Sequence, residues 1–313
     1  MNHPLAAPAP LNSLDPLNSL DPLVYLNGSF TPLSDAKIPV LDRGFIFGDG
    51  IYEVIPVYQG RMFRPDQHLA RLERSLAAVN IANPHSKAAW LELIGQVMAA
   101  QELADQLVYL QVTRGVAKRA HAFPAHSTPT VFIMSNPLTP VSATARAHGV
   151  ACVSLEDVRW QRCDIKSTSL LGNVLAAQFA AEHDAVESIQ FRAGYLTEAS
   201  ASNAWIVQDG ILIGPPKDTL ILEGIRYGLM EELCAASGIG FASRRIAREE
   251  VFAADEVLLS SATKEILAVS TLDGHPIGNG QPGPIYQKLY AAYQHAKQCG
   301  APVAASPSLE EPE

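Results

Sequence analysis

The feature that most constrains this chain is an alternation that runs through most of its length. Short runs of β-forming residues trade places with segments whose apolar residues recur at helical spacing. Leu69, Leu72, Leu76 and Val79 fall three to four residues apart, as do Leu91, Ile94 and Met98, the spacing of one buried helix face. Residues 108–113 and 130–134 are β-rich runs bounded by Gly and Pro. The same reading predicts strands at 23–27, 37–40, 150–155, 188–192, 204–208, 211–213 and 256–260. It predicts further helices at 171–183, 225–236 and 285–297. Many short strands in mixed order with helices point to an α+β fold rather than a regular doubly wound sheet.

The ends of the chain break this pattern. Residues 1–22 are rich in Pro, Ala and Asn and carry LNSLDP twice in tandem, at 11–16 and 17–22. So short and polar a repeat buries no core, and a disordered leader is expected. The segment 299–313 has Pro and acid without periodicity and reads as a disordered tail. Between them, 23–138 forms one block of sheet and helices. A proline-marked break at 136–140 opens a linker at 139–145, and 146–298 forms a second, larger block.

Charge and cysteine usage exclude several classes. A formal charge of -9 opposes nucleic acid and anionic membrane surfaces, although local arginines can still form a pocket for a small anion. Cys152, Cys163, Cys234 and Cys299 have no CxxC and no metal-ligand spacing, so reduced thiols in a cytoplasmic protein are expected. No apolar run reaches membrane-spanning length, and the N-terminus lacks the charged and apolar regions of an export signal. Residues 278–283, GNGQPG, match GxGxxG formally. They follow a turn and contain Pro282, so a surface turn is predicted rather than a nucleotide site.

Six places in the sequence carry candidate chemistry. In 159–167, RWQRCDIKS, Lys166 sits among β-formers and an indole with Arg159 and Arg162 nearby. Cationic neighbours and partial burial are the influences that favour a lysine's neutral amine, the form that attacks an aldehyde. Strict strand alternation would send Arg159 and Lys166 to opposite faces, so extended geometry must break between them if both line one pocket. In 196–203, LTEASASN, Glu198 precedes a run of small residues. It either simply enters a tight turn or faces a heteroaromatic nitrogen and keeps it protonated, which draws electrons from a substrate carbon. Arg71, on a predicted helix, and Leu222-Glu223-Gly224-Ile225-Arg226, which opens another, are candidates for a phosphate, since helix N-termini present free N–H groups. Ser260-Ser261-Ala262-Thr263 ends a strand with hydroxyls. The strand 108–113 runs into a basic loop in which Arg119 can fork onto a carboxylate and His121 can add a donor.

Together the segments DRGFIFGDGIYEV, VTRG…RAHAFP, EDVRWQRCDIKS with LLGNVLA, and LTEASASN resemble the class IV pyridoxal-phosphate aminotransferases, and most of all their D-amino acid branch. The likeness spans nearly all of 23–298. It implies the fold type IV arrangement, with a small N-terminal and a larger C-terminal α/β domain and pyridoxal 5'-phosphate between them. By the resemblance, Lys166 bonds the cofactor aldehyde and moves the proton between the substrate Cα and the cofactor's C4′. Glu198 pairs with the pyridine nitrogen, Arg159 approaches the phenolic oxygen, and Leu222 lies on the ring. Arg71, Ile225, Arg226 and Ser261 meet the phosphate, and His68 supports the Glu198 side through hydrogen bonds. Tyr52, Arg119 and His121 form a trap for the substrate carboxylate, the last two coming from the neighbouring subunit of a homodimer. Three positions depart from the family pattern. Arg226 stands where Thr or Ser is usual, Ala262 where a phosphate-binding Thr is expected, and Trp205 where Phe or Tyr is usual.

The implied reaction is ping-pong transamination of a D-amino acid such as D-alanine with a 2-oxo acid such as 2-oxoglutarate, through pyridoxamine phosphate. The alternatives are a branched-chain L-amino acid aminotransferase, an aminodeoxychorismate lyase, and a non-catalytic cofactor-binding member. All the enzymes share Lys166 and Glu198, so Arg119-Ala120-His121 is the feature that separates them, and it favours D-amino acids.

Overall fold

The computed structural model describes residues 21–298; the expected leader, its repeat up to residue 20, and the expected tail lie outside them. The first half builds an antiparallel sheet from β1 (Leu23–Leu26), β2 (Ser29–Pro32), β3 (Gly50–Tyr58), β4 (Arg61–Met62), β5 (Gln106–Thr113) and β6 (Thr130–Pro137), with spatial order β2-β1-β6-β5-β3-β4. Three helices accompany it, α1 (Arg43–Phe47), α2 (Pro65–Ala78) and α3 (Lys87–Ala99). The leucine stripe works as its spacing predicts. Leu69, Leu72 and Leu76 of α2 and Trp90, Ile94 and Val97 of α3 pack on Ile51, Val108, Leu110 and Ile133 of the sheet. Each such side chain contributes roughly 1.5–3 kcal/mol on burial. Pro65 opens α2 where its fixed φ suits a helix start, and Ser86 caps α3 by accepting the Ala89 N–H.

The second half holds α4 (Ala143–His148), β7 (Val150–Glu156), α5 (Leu171–Glu182), β8 (Glu187–Arg192), β9 (Tyr195–Ala199), β10 (Asn203–Gln208), β11 (Ile211–Gly214), α6 (Ile225–Ser237), β12 (Gly240–Ser243), α7 (Arg248–Phe252), β13 (Glu256–Ser261), β14 (Glu265–Leu272), β15 (His275–Pro276) and α8 (Pro284–Gln298). Its strands form one mixed sheet, β12-β11-β10-β13-β14-β7-β8-β9, with β15 beside β14. The pairs β11–β12, β14–β7 and β7–β8 are parallel and the rest antiparallel. Both faces are covered. Trp205, Val207 and Leu258 join α6 and α8 in one core, while Ala204, Ile206, Val257 and Leu259 join Ile246 and Val251 in another. That division is the two-residue period of a strand seen from its two sides.

Two differences from the sequence expectations have simple causes. Residues 37–40 are not a strand. They are exposed, Pro39 has no N–H for a ladder, and the segment turns with the Asp42 N–H on the Pro39 carbonyl. The long strands β3, next to last in its sheet beside the two-residue β4, and β14 have no counterpart among the sequence expectations; both are buried at most positions, so they lack the polar alternation that marks a half-exposed strand. In addition, β6 continues through Pro137, into the proline-marked break, and the connection to α4 follows it. Residues 278–283 form turns and bends before α8, as expected.

Candidate active site

A cavity of ≈ 410 Å³ opens between β3 and α2 on one side and the loops at one end of the second sheet on the other, within the range of small-molecule sites. Twelve positions were singled out from sequence, and ten of them line it: Tyr52, His68, Arg71 and Lys166 among them, Arg159 and Glu198 together, and Leu222, Ile225, Arg226 and Ser261.

The lysine is carried by a crossing segment. Residues 161–167 are turns and bends rather than a strand, so the extended geometry does break between Arg159 and Lys166, and both reach the cavity. The segment is stitched to β3 by Tyr52 N–H on the Lys166 carbonyl (3.1 Å) and Thr168 N–H on the Gly50 carbonyl (2.9 Å). Alternation along β3 then places Tyr52 beneath the amine, with Lys166 Nζ 4.1 Å from the ring centroid. Arg162 takes no part. It is half exposed and pairs with Asp164.

Glu198 is buried at the end of β9, and its two oxygens have separate partners. Oε1 accepts from Arg159 Nη1, while Oε2 accepts from the Leu222 N–H (3.0 Å) and Asn203 Nδ2 (3.3 Å). Burial pushes its carboxyl above the usual range, against the pull of Arg159 and the Leu222 N–H. Arg159, expected beside a phenolic oxygen, spends most of its donors on carboxylates. Its Nε and Nη2 fork onto Asp157, each at 2.9 Å. Despite burial, these acids raise the guanidinium's pKa. Gly224 completes this corner: a Cβ there would stand 2.1 Å from Asn203 Oδ1, so only glycine lets Asn203 bridge Glu198 and the Leu222 carbonyl.

The third group is cationic. Arg71 forks onto Glu53 through Nε (2.7 Å) and Nη2 (2.8 Å) and gives Nη1 to the Glu223 carbonyl. Burial alone would raise the Glu53 carboxyl; Arg71 and His68 override it and hold it far below its ordinary range. His68, pulled down to about 4 by burial against Glu53, is the neutral imidazole whose Nδ1–H donates to Glu53 Oε2 (2.8 Å). Its hydrogen bonds run to Glu53 and Arg226, not to Glu198, so the expected support of Glu198 by His68 is not seen as a direct bond. Arg226, in the first turn of the 13-residue α6, is buried with Tyr293 Oη (3.1 Å), His68 Nε2 (3.4 Å) and the Phe63 ring as its partners. Among the described residues none of its hydrogen-bond partners is a carboxylate. A buried cation without an acid, beside the free N–H groups of a helix start and at a cavity wall, fits an anionic group such as a phosphate. Ser261 stands across from it at the end of β13, and Thr263, 3.4 Å from the Ser261 hydroxyl and also at the wall, provides the hydroxyl that Ala262 lacks. Trp205 is core: its Nε1–H donates to Ser260 Oγ and its ring lies against Tyr227.

Arg119 and His121 do not line the cavity of their own chain. Both are exposed on the loop after β5. The loop is held from below, where Arg43 donates to the Ala120 carbonyl (2.6 Å) and Arg114 lies 3.6 Å from the Phe123 ring centroid. Asp49 accepts from both arginines.

Sequence reasoning missed Asp157, Asn203 and Glu53 as organising residues. Glu53 had a usable signal, an acid inside the apolar run IYEVIPV, since a buried acid needs a cation. Asp157 and Asn203 had none: they lie two and five residues from Arg159 and Glu198, but their further partners, Thr197 and the Leu222 carbonyl, are brought close by the fold.

The class IV amino-transferase family model matches residues 50–272. Among curated proteins, the chain is 37% identical over 273 residues to the D-alanine aminotransferase of Bacillus licheniformis, covering 87% of this chain and 96% of the relative. It is 36% identical to that of Staphylococcus aureus strain MSSA476, with the same coverage. Among solved structures, the branched-chain amino acid aminotransferase of Escherichia coli superposes with a TM-score of 0.83 at 24% identity, over 88% of this chain and 94% of that one. The T.th. branched-chain amino acid aminotransferase with pyridoxamine 5'-phosphate gives 0.83 at 23% identity, over 89% and 94%. At that level of identity these two bear on the fold alone.

Proposed function

Because this chain belongs to the class IV aminotransferases, we propose that it transfers the amino group of a D-amino acid, D-alanine first, to a 2-oxo acid such as 2-oxoglutarate, with pyridoxal 5'-phosphate as cofactor. The observation that carries this reading is the convergence on one cavity of Lys166, the buried acid Glu198, and a cationic corner whose Arg226 bonds to no carboxylate among the described residues. The preference for D-amino acids is supported by the relatives named D-alanine aminotransferase and by Arg119-Ala120-His121.

In this proposal, Arg71, Ser261 and the N–H groups of Ile225 and Arg226 hold the phosphate, Leu222 lies on the ring, and Arg159 faces the phenolic oxygen. When bound, the cofactor supplies an aldehyde for the substrate amine and a ring that takes up the electrons left when the Cα proton departs. Glu198 secures that property. A protonated ring nitrogen and this buried carboxylate stabilise each other's charge, offsetting the burial that raises Glu198. Lys166 Nζ, seated over Tyr52, would take the Cα proton and return it to the former aldehyde carbon, C4′. Tyr52 aligns the substrate carboxylate together with Arg119 and His121 of the partner subunit. Asp157 keeps Arg159 turned toward Glu198 rather than toward solvent.

The reading includes a homodimer, a division into two domains near 139–145, and a cytoplasmic setting. Exposed Phe45, Leu171, Val174 and Leu175 support a covered surface. Distinct cores on the two sheets, joined at a few residues such as Tyr58, Phe63 and Ile165, support the division. The free thiols of Cys152, Cys163 and Cys234 suit a reducing compartment. Among the described residues no helix is long and apolar enough to cross a membrane. The test is a panel of D- and L-amino acids with 2-oxoglutarate, following oxo-acid formation in the enzyme supplied with pyridoxal phosphate. D-alanine is expected to turn over well above L-alanine and L-leucine. Turnover of L-leucine above D-alanine would overturn the stereochemical reading in favour of a branched-chain enzyme.

A further inference from the structure

Behind the cavity wall lies a buried acid to which none of the steps above gives a part. Glu187, 1% exposed at the start of β8, receives four donors on its two oxygens. Oε2 accepts the Ser200 hydroxyl (3.0 Å) and the Ala201 N–H (2.7 Å). Oε1 accepts the Ser202 hydroxyl and the Lys264 ammonium, the latter at 2.7 Å. The first three donors belong to the bend that joins β9 to β10, and so separates Glu198 from Asn203. The fourth closes the turn between β13 and β14, where the Lys264 N–H also donates to Ser261 Oγ (3.1 Å). Both loops face the cavity through Ser200, Ser202, Ser261 and Thr263, while Glu187 and Lys264 do not line it.

We propose that Glu187 is a positioning residue that locks the ring-acid bend to the phosphate-side turn, with Lys264 as the tie to the second. The chemistry requires a carboxylate. Glutamine offers one acceptor oxygen, so two of four converging donors lose their acceptor, and its amide adds a fifth donor among them. The Lys264 charge, mostly buried, also loses its counter-ion beside a site built for a charged cofactor. Strand pairing cannot do this work alone. The bend is bonded to β8 through Ser200 N–H on Ser188 O and to α5 through Asn173 on Ser200 O, which fix its backbone. Among the described residues the Ser200 and Ser202 hydroxyls, by contrast, bond to Glu187 alone, and Glu187 ties the bend to the neighbouring turn through Lys264.

This inference rests on the pyridoxal-phosphate reading of the cavity, and the experiment separates the two. Apo-enzyme is titrated with pyridoxal phosphate and with pyridoxal, following tryptophan fluorescence and the absorbance of the bound aldehyde, for wild type, Glu187→Gln, Lys264→Met and the double variant. Glu187→Gln is expected to weaken both ligands about 10- to 100-fold, because both loops shift. Lys264→Met is expected to weaken pyridoxal phosphate about tenfold and leave pyridoxal within about twofold, since only the phosphate-side tie is cut. The double variant is expected to lose less than the product of the single losses, as two residues acting through one contact do. A merely structural role would lower the melting temperature while leaving both affinities of a folded Glu187→Gln, and the ratio of the two affinities in Lys264→Met, unchanged. Wild type that takes up no pyridoxal phosphate overturns the cofactor reading itself. Wild type that binds it, with a folded Glu187→Gln that binds both ligands equally well, overturns only the role of Glu187. Should Glu187→Gln fail to fold, Lys264→Met decides, and an unchanged affinity ratio in that variant overturns the tie.

Discussion

Arg159 and Arg119 both come from cation-rich segments, and the fold treats them in opposite ways. Arg159 is buried, forked onto Asp157 and bonded to Glu198, with Arg192 also paired to Asp157. Arg119 stands in solvent, its side chain 5.5 Å from the centroid of the Phe47 ring. The first corner is complete within one chain and fixed before any substrate arrives. The loop of the second is anchored by Arg43 on the Ala120 carbonyl and by Arg114 against the Phe123 ring, while its Arg119 and His121 side chains stay exposed. The contrast separates two tasks. Groups that tune a reaction need burial, where charges interact strongly. In the proposed reading, groups that select a substrate sit on an adjustable surface and reach a cavity through a second subunit.

Removing chemistry from the buried side should have the largest effect. Lys166→Ala is expected to lower the rate of the D-alanine half-reaction by at least about 10²–10⁴-fold, the usual worth of a positioned proton-transfer group. Single-turnover spectra check this, with circular dichroism showing an intact fold. Next, Asp157→Ala strips Arg159 and Arg192 of a shared buried carboxylate and should cost about 3–5 kcal/mol of stability, measured by urea unfolding. The exposed counterpart, Arg119→Ala, should change stability by less than about 0.5 kcal/mol. Equal losses in the two variants would erase the distinction drawn here. Arg119→Ala should instead raise the KM for D-alanine about 10- to 100-fold, the worth of a charge-assisted fork, with kcat held within about twofold.

Much of the fold was legible because it rests on local period. The leucine stripe of α2, the apolar runs of β5, β10 and β13, and the helices α5, α6 and α8 all follow from residues a few positions apart. What escaped were strands buried at most positions, such as β9, β14 and β3, in the last of which Ile51, Glu53 and Ile55 turn to α2 while Tyr52 and Val54 turn to the cavity. Site residues divided along the same line. Lys166 and Glu198 stand in recognisable segments. Their organisers, Asp157, Asn203 and Glu187, carry no local mark, because each also joins a residue 19 to 77 positions away: Thr197, Leu222 and Lys264. Arg226 was expected at a phosphate, yet its bonds to Tyr293 of α8 and to His68 depend on three elements converging.

The smallest expected effect sharpens the comparison from the buried side. His68 has its pKa lowered to about 4 in the folded chain from an ordinary 6.5. The unfolded chain therefore binds the proton more readily. Stability from this group is full above pH 6.5 and is lost as pH falls toward 4, by about 1 kcal/mol between pH 6 and pH 5. Urea unfolding across that interval should show the slope in wild type and a flatter one in His68→Asn. An unchanged slope would mean that His68 is not held neutral.

The central claim is that one lysine amine, seated over Tyr52, carries the cofactor. It is tested most directly by loading the protein with pyridoxal phosphate, reducing with borohydride and mapping the modified peptide by mass spectrometry. The account predicts a single phosphopyridoxyl group on Nζ of Lys166. A label on Lys264 or any other lysine, or a protein that takes up none, would contradict it.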